Sequence, residues 1–318
     1  MLAFGFAPPA YAAPTVDDAA RACGILAEDI PKMKAGKLVQ LGPHESSDRD
    51  LSVGFAFIVK APAAKIADAF RRGADFAEDE NIVGSGAIDP AAPLLGLAKM
   101  NLGADEWKHL LGASPTFNLA ADERARFAAL GANANEAQIV ELLRQVLAQR
   151  VTRYAKQGLA GITPYAREQG PTKPADDLRG VLGNAWPVLD RFAPGFKHAI
   201  DNYPSSKPPG LRETFHWVLY DLDGRRTLTL RHRMTLSFAD GEVALDREFY
   251  VSQGYDAMQA VAGLFSVDGG ALVFYRAHTF TDRVAGISSG IKHSVGRRMM
   301  ANQLEKIFER GRDRAADK

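Results

Sequence analysis

Three segments in the last third of the chain alternate apolar and polar residues, and this alternation constrains the fold more than any other feature. They cover residues 212–220, 225–238 and 243–252. The turns between them contain Asp223-Gly224 and Asp240-Gly241, and Asp-Gly steps favour tight hairpins. Because a period of two sends successive side chains to opposite faces of a strand, the pattern predicts an antiparallel meander.

The end of the chain predicts a helix, a strand and a second helix. Residues 255–265 are interpreted as a short helix that interrupts the sheet, and residues 271–281 as a further strand. Residues 287–310 are typical of a long amphipathic helix. The apolar stripe of this last helix consists of Ile291, Val295, Met299, Leu304 and Ile307.

The first half of the chain adds two strands and many helices. Residues 16–34 predict a helical segment that is interrupted at Pro31. The pattern then predicts a strand at 51–59, a helix at 63–72 and a strand at 80–88.

A long middle region has helical spacing throughout. Residues 93–202 contain no long alternating segment, and their clearest helix covers 135–158. The sequence therefore predicts an α+β fold with a large helical insertion. Its parts are 13–50, an N-terminal helical segment and strand; 51–92 and 203–311, a sheet and a C-terminal helix; 93–202, the insertion; and 312–318, a tail.

The first residues are typical of an exported protein. An apolar run ends in Ala10-Tyr11-Ala12, which places small residues on either side of Tyr11 before a cut after Ala12. Residues 1–12 are therefore interpreted as a signal peptide. Because no Lys or Arg precedes the apolar run, we expect its true start to lie upstream, and the alternative is a disordered apolar tail. Export predicts a soluble periplasmic protein, in which the single Cys23 cannot form an internal disulfide.

Composition and motifs narrow the classes of function. Hydrophobic residues at 46% and charged residues at 24% are globular values, and a net charge of +1 gives no case for nucleic acid or an anionic membrane surface. Lys292, Arg297 and Arg298 give the last helix a basic face, interpreted as solvated surface or as a peripheral contact for lipid headgroups. The histidines are dispersed and no H-E-x-x-H motif occurs, so no metal or other cofactor is predicted. The letters G-I-S-S-G at residues 286–290 stand at the start of the predicted last helix and not at a strand-to-helix elbow, which favours a helix N-terminus over a nucleophile.

A family resemblance rests on the segment IVKAPAAKIADAF at residues 58–70, followed by the meander and the long C-terminal helix. This order of elements resembles the START/Bet v 1-like helix-grip superfamily. The stretches GYDAMQAVAGLF and LVFYRAHTFTDRVAGISSGIKHSV also look like a proteobacterial envelope protein family, a likeness that implies no activity. The superfamily resemblance implies a curved antiparallel sheet that grips the C-terminal helix, with an apolar cavity between them for a lipid or other hydrophobic ligand.

Three predicted strands each carry a cationic or titratable residue on an otherwise apolar face. Alternation places His232 on the apolar face of its strand and turns Arg231 and Arg233 outward. A charge on an apolar face must be paired, which suggests that these groups orient the polar or anionic head of a ligand. The candidate ligand-binding residues are His232, Arg247, Tyr250, Tyr275, Arg276 and His278.

A structural role for the same residues is the alternative. The two arginines would then pair with acids at a rim of the sheet, and His232 would be a satisfied core residue. The acids available for this are Asp246, Glu248 and Asp282.

Three functions remain open from the sequence. The first is a periplasmic binding or carrier protein for a lipid or other hydrophobic ligand, held between the sheet and the C-terminal helix. The second is an enzyme that acts on a hydrophobic substrate in the same cavity, with His232 or His278 as general acid or base. The third is an envelope scaffold that binds a protein partner through residues 93–202.

Overall fold

The computed structural model describes residues 15–100, 117–182, 192–193, 195–222, 224–286 and 289–316. The predicted signal peptide at residues 1–12 lies outside these ranges. Over the part of the chain that is described, no helix is both long enough and apolar enough to cross a membrane.

A curved antiparallel sheet of eight strands forms the centre of the molecule. The strands are β1 (Val39–Leu41), β2 (Asp50–Val59), β3 (Ile82–Ile88), β4 (Arg212–Leu222), β5 (Arg225–Phe238), β6 (Gly241–Val251), β7 (Ala257–Val267) and β8 (Gly270–Phe280). Their spatial order is β1-β2-β8-β7-β6-β5-β4-β3. The predicted α+β class is therefore confirmed, and β2 lies between β1 and the last strand, β8.

Helices cover the sheet. They are α1 (Val16–Ala22), α2 (Ile30–Lys34), α3 (Ala63–Arg71), α4 (Ala74–Glu78), α5 (Pro93–Leu97), α6 (Ala121–Ala129), α7 (Glu136–Gln157), α8 (Pro174–Leu182), α9 (Phe196–Asp201) and α10 (Ser289–Ala316). Asn135 caps α7 by accepting a hydrogen bond from the Gln138 amide, which explains why that helix starts where it does. Helix α10 runs to Ala316, so most of the predicted tail, residues 312–318, is helical.

The helix expected at residues 255–265 is wrong, because this segment forms β7. Its Ala, Met, Gln and Leu residues favour a helix by intrinsic propensity. In the structure β7 pairs along its length with β6 on one side and β8 on the other, and most of its side chains are buried on both faces. Tertiary pairing of this kind overrides local preference.

Both faces of the sheet are buried. On the first face, called the helical face here, strand residues pack against α1, α2 and the helices of the 93–202 region. On the second face, called the C-terminal face, β2 and its neighbours pack against α3 and α10. The rings of Phe55 and Phe57 lie 5.7 and 5.3 Å from the ring of Phe308 in α10.

Burial of both faces corrects the expectation that Arg231 and Arg233 point to solvent. They are only 6% and 2% exposed, on the C-terminal face. The guanidinium of Arg233 lies 3.9 Å from the centre of the Phe70 ring, and Arg233 also forms an ion pair with Asp246 at 2.7 Å. Alternation assigned the two arginines to the correct face of the sheet, but it could not show that α3 and α4 cover that face.

A β-bulge in β6 changes which side chains reach the helical face. Leu230 of β5 pairs with Tyr250, whereas the next residue, Arg231, pairs with Glu248. Phe249 is therefore an extra residue, and both Phe249 and Tyr250 join the core on the helical face.

The C-terminal end of α7 is fixed by a close backbone approach. Gly158, at φ +58°, follows the helix, and a Cβ atom there would lie 2.0 Å from the carbonyl oxygen of Tyr203. Only glycine fits such a contact. One turn earlier, the ring of Tyr154 stacks on Tyr203 at 5.6 Å and on Phe249 at 4.1 Å.

Candidate functional site

A row of side chains crosses the sheet on its helical face, one from each of six adjacent strands. The strand register makes each member the direct partner of the next. Five members are polar and almost fully buried: three have 0% exposure (His232, Arg247 and Gln259), and His278 and Ser52 have 1%. This transverse row consists of Phe215, His232, Arg247, Gln259, His278 and Ser52.

His232 is enclosed by aromatic rings. It stacks on Phe215 at 4.3 Å, and the ring of Tyr203 lies 4.5 Å away. Burial lowers the pKa of His232 to about 4, although the neighbouring Glu213 carboxylate acts in the opposite direction. The imidazole is therefore neutral near pH 7.

A chain of polar contacts, called the relay here, runs through this imidazole. Arg247 Nη1 donates to the hydroxyl oxygen of Tyr154 at 3.2 Å, and that hydroxyl lies 3.0 Å from His232 Nδ1. His232 Nε2 lies 3.3 Å from Glu213 Oε1, a polar contact whose geometry falls short of a regular hydrogen bond. With Tyr154 donating to Nδ1, the proton of the neutral imidazole is on Nε2 and faces Glu213.

Glu213 is the outer end of the relay. Its side chain is 18% exposed and forms an ion pair with Lys207 at 2.6 Å. Partial burial alone would raise the pKa of Glu213, but the neighbouring His232 imidazole and Lys207 ammonium outweigh it and lower the pKa to about 2. The relay thus connects a buried cation, Arg247, to an ionised carboxylate at the surface through two neutral groups.

Arg247 has an unusual environment for a buried cation. Its Nε donates to Gln259 Oε1 at 2.7 Å. Among the described residues, no carboxylate lies within ion-pair distance of it, and Arg247 Nη2, Gln259 Nε2 and His278 Nε2 have no hydrogen-bond partner. A buried polar atom without a partner is costly, so these three nitrogens are suited to ordered water or to a polar group of a ligand.

His278 is held by a carboxylate. Its Nδ1 lies 2.9 and 3.1 Å from the two oxygens of Asp50. Asp50 also accepts hydrogen bonds from the backbone and hydroxyl of Ser46, at 2.7 and 2.8 Å. These contacts fix the orientation of the imidazole within the transverse row.

The other candidates are not members of this row, although Arg276 contacts one end of it by donating to Ser52 Oγ at 3.3 Å. Tyr250 shares the helical face, where its ring lies 4.4 Å from the Arg150 guanidinium. Arg276 is half-buried and donates to the carbonyl of Gly42 at 2.9 Å. Tyr275 lies on the opposite face, against Phe308.

The rim pairing considered as an alternative is not what the structure shows. Asp246 and Glu248 pair with Arg231, at 3.1 and 2.5 Å, on the C-terminal face. Asp282 pairs with Arg49 at 2.6 Å. Neither Arg247 nor Arg276 therefore finds its charge partner among these three acids.

Several residues of the site were not expected from the sequence, and four of them contribute directly to its polar contacts. Gln259 was missed because residues 255–265 were predicted to be a helix, and Tyr154 was assigned to the apolar stripe of its own helix. Asp50 and Glu213 carried one available signal, since each stands at the start of a strand that supplies a member of the row.

A surface cleft of about 450 Å³ opens beside the relay. Glu213 and Lys207 provide its charged groups, and Phe215, which stacks on His232, forms part of its wall. The cleft is lined by Ala87, Ile88, Pro90, Ala155, Tyr203, Lys207, Glu213, Thr214, Phe215 and His216.

A larger open groove of about 880 Å³ lies between α5 and α7. Its lining contains exposed leucines, Leu94 and Leu95, but neither a carboxylate nor a histidine. We place the candidate site at the smaller cleft, because polar groups with shifted pKa values converge there.

No protein-family model matches the chain, and neither does a curated protein or a solved structure. Within the described ranges, no group of three or more His, Cys, Asp or Glu side chains is arranged to hold a metal ion. Fold and site geometry therefore carry the functional argument.

Proposed function

We propose that the protein is a binding or carrier protein for a small molecule with an apolar body and a polar end group, bound in the cleft beside Glu213. The observation that carries this proposal is the cleft itself. Its volume of about 450 Å³ suits a small ligand. The one carboxylate in its lining is also the outer end of the relay.

The lining defines the ligand class. Ile88, Ala155 and Phe215 offer apolar surface, whereas Lys207 and Glu213 form an ion pair without net charge. A neutral pair offers a donor and an acceptor together, which favours an uncharged or zwitterionic end group such as a hydroxyl or an amide. An anion would instead compete with Glu213 for Lys207.

The relay is proposed to hold Glu213 ready for the ligand. With its pKa near 2, this carboxylate stays ionised and able to accept a hydrogen bond across the whole neutral range. Its contacts with His232 and Lys207 restrict its motion, so less conformational entropy is lost on binding.

The resemblance to helix-grip proteins supports a carrier role, and the predicted signal peptide supports a place in the periplasm. The proposed ligand position differs from the one that the resemblance implies. Between the sheet and α10, the rings of Phe55, Phe57 and Phe308 pack against one another. The cleft lies instead between the β3–β4 edge and the end of α7.

An enzymatic role is less favoured by the contacts. His232 is neutral, has no exposed surface and is separated from the cleft by Phe215, Tyr203 and Glu213. A general acid or base must reach the proton that it transfers. The Asp50–His278 pair is oriented for such chemistry, but His278 is also buried, at 1% exposure.

The proposal is tested by blocking the cleft. Ala155→Trp places an indole in it, and Ala137→Trp, at the exposed start of the same helix, is the matched control. Binding of the neutral fluorescent probe N-phenyl-1-naphthylamine is measured by titration. We expect A155W to bind about tenfold or more weakly than the wild type, and A137W to bind equally well.

A second measurement identifies the natural ligand. Protein purified without denaturation is extracted with organic solvent, and the extract is analysed by mass spectrometry. A stoichiometric amphiphile that is lost in A155W supports the proposal. Equal probe binding by all three folded proteins, or a co-purifying protein in place of a small molecule, would contradict it.

A further inference from the structure

The outer face of α10 carries an exposed apolar row. Ile291, Val295 and Met299 are 72%, 55% and 62% exposed. Their spacing of four residues places them above one another on one side of the helix. A helix of a globular protein normally turns polar residues to solvent, so an apolar row of this kind indicates a docking surface.

The inner side of the same helix segment is fixed, so the row cannot turn inward. His293 Nδ1 lies 2.8 Å from Glu45 Oε2, and its Nε2 lies 2.8 Å from the carbonyl oxygen of Asp48. Arg297 donates to the other oxygen of Glu45 at 2.7 Å. These contacts set the rotation of α10 about its axis.

The charge around the row is positive. Residues 289–304 contain no Asp or Glu, and Glu45 takes up the charge of Arg297. Lys292 and Arg298 flank the apolar row, are exposed and form no ion pair with any described residue. This part of α10 is therefore both basic and apolar, although the net charge of the whole chain is small.

We propose that this face of α10, formed by Ile291, Val295 and Met299 with Lys292 and Arg298, docks on an anionic lipid surface. The helix would lie in the plane of the interface, with its apolar row among the acyl chains and its cations at the headgroups. A second copy of the chain fits less well, because pairing the two rows would bring like charges together. The inference does not depend on the ligand proposed for the cleft.

The experiment is flotation of the purified protein with lipid vesicles. Vesicles of phosphatidylcholine with a third of phosphatidylglycerol are compared with vesicles of phosphatidylcholine alone. We expect binding to the anionic vesicles only, and a loss of binding when salt shortens the Debye length. K292E/R298E should bind about tenfold or more weakly, since each basic residue near the surface is worth about fivefold.

Matched variants show whether vesicle binding depends on the apolar row of α10 or on any exposed apolar or basic residue. V295S/M299S should also lose binding, whereas Leu95→Ser, at the exposed leucine of α5, and K60E/K173E, at exposed lysines elsewhere, should bind like the wild type. Because these changes are at the surface, we expect all variants to fold, and thermal melting checks this. Equal flotation of all variants overturns the proposal. So does a concentration-dependent dimer in sedimentation velocity that V295S/M299S abolishes.

Discussion

His232 shows how burial and hydrogen bonding compete at a single side chain. Burial lowers its pKa, Glu213 raises it, and burial wins, so that the pKa is about 4 instead of 6.5. Between these two pH values the unfolded chain takes up a proton at His232 and the folded protein does not. Acid therefore favours unfolding in this window.

A first prediction follows for stability against pH. Wild type should lose up to about 3 kcal/mol through His232 as the pH falls from 6.5 to 4, and His232→Gln should lack this component. Urea denaturation at pH 7, 5.5 and 4.5 measures the difference between the two proteins. His44→Gln, which removes an exposed imidazole, is the control and should follow the wild type. If the free energy of unfolding changed with pH in the same way for wild type and H232Q, the lowered pKa of His232 would be contradicted.

Two buried tyrosines give a matched test of the relay. The Tyr154 hydroxyl bonds with Arg247 and His232, whereas the Tyr250 hydroxyl has no hydrogen-bond partner among the described residues. Tyr154→Phe should lower the free energy of unfolding by about 1–3 kcal/mol. Tyr250→Phe should leave it unchanged or raise it, because a desolvated hydroxyl is removed. Chemical denaturation distinguishes these outcomes, and equal losses would show that the relay contributes nothing specific.

At the scale of elements, period-two alternation was enough to predict β2, β4, β5, β6 and β8. It also placed His232, Arg247 and His278 on apolar faces, and pairing between strands then aligned them in one row. It failed at β7, where side chains with helical preference are held by strands on both sides.

The site was less predictable than the fold, for two physical reasons. Tyr250 reaches the helical face only because of the bulge at Phe249, and alternation cannot show an extra residue. Tyr154 and Glu213 meet His232 through long-range contacts, which no local pattern contains.

The C-terminal face of the sheet contains a cluster of buried charges that pair with one another. Asp246 lies between two buried arginines, 3.1 Å from Arg231 and 2.7 Å from Arg233. Burial would raise its pKa, but the two guanidinium groups lower it overall. This cluster is well paired, in contrast with Arg247 on the other face.

Asp246→Asn should therefore be strongly destabilising. It leaves two buried guanidinium groups without their shared carboxylate, at a cost of about 3–5 kcal/mol. Asp176→Asn, at an exposed pair with Arg179, makes the same chemical change and should cost less than about 1 kcal/mol. Urea midpoints of the two variants check the contrast, and similar values for both would refute it.

At the scale of the whole molecule, Arg49 joins the helical layer to the sheet. It binds both oxygens of Asp177 in α8 at 2.8 Å, Asp256 before β7 at 2.9 Å and Asp282 after β8 at 2.6 Å. One side chain thus links segments that are distant in sequence.

Arg49→Gln should loosen this connection locally, because three neighbouring carboxylates would lose the cation that they share and repel one another. Of the three, only Asp256 has a second ion pair within the described residues, with Arg167 at 3.0 Å. We expect faster amide hydrogen exchange in α8, with little change in β5 and β6. Exchange followed by mass spectrometry tests this. Arg179→Gln, which removes an exposed arginine of α8 itself, is the control. Uniform acceleration over the whole chain would mean global destabilisation and not a local connection.

The position of β2 in the sheet also has a consequence for biosynthesis. Asp50 pairs with Phe280, so β2, which is synthesised early, cannot pair with β8 until translation is nearly complete. The β4–β8 meander needs only neighbouring segments and can form first, since short loops close at lower entropic cost. We expect pulse-labelled exchange during refolding to protect β5 and β6 before β2. Until β8 has formed, β2 lacks that partner, and its apolar side chains are exposed to aggregation.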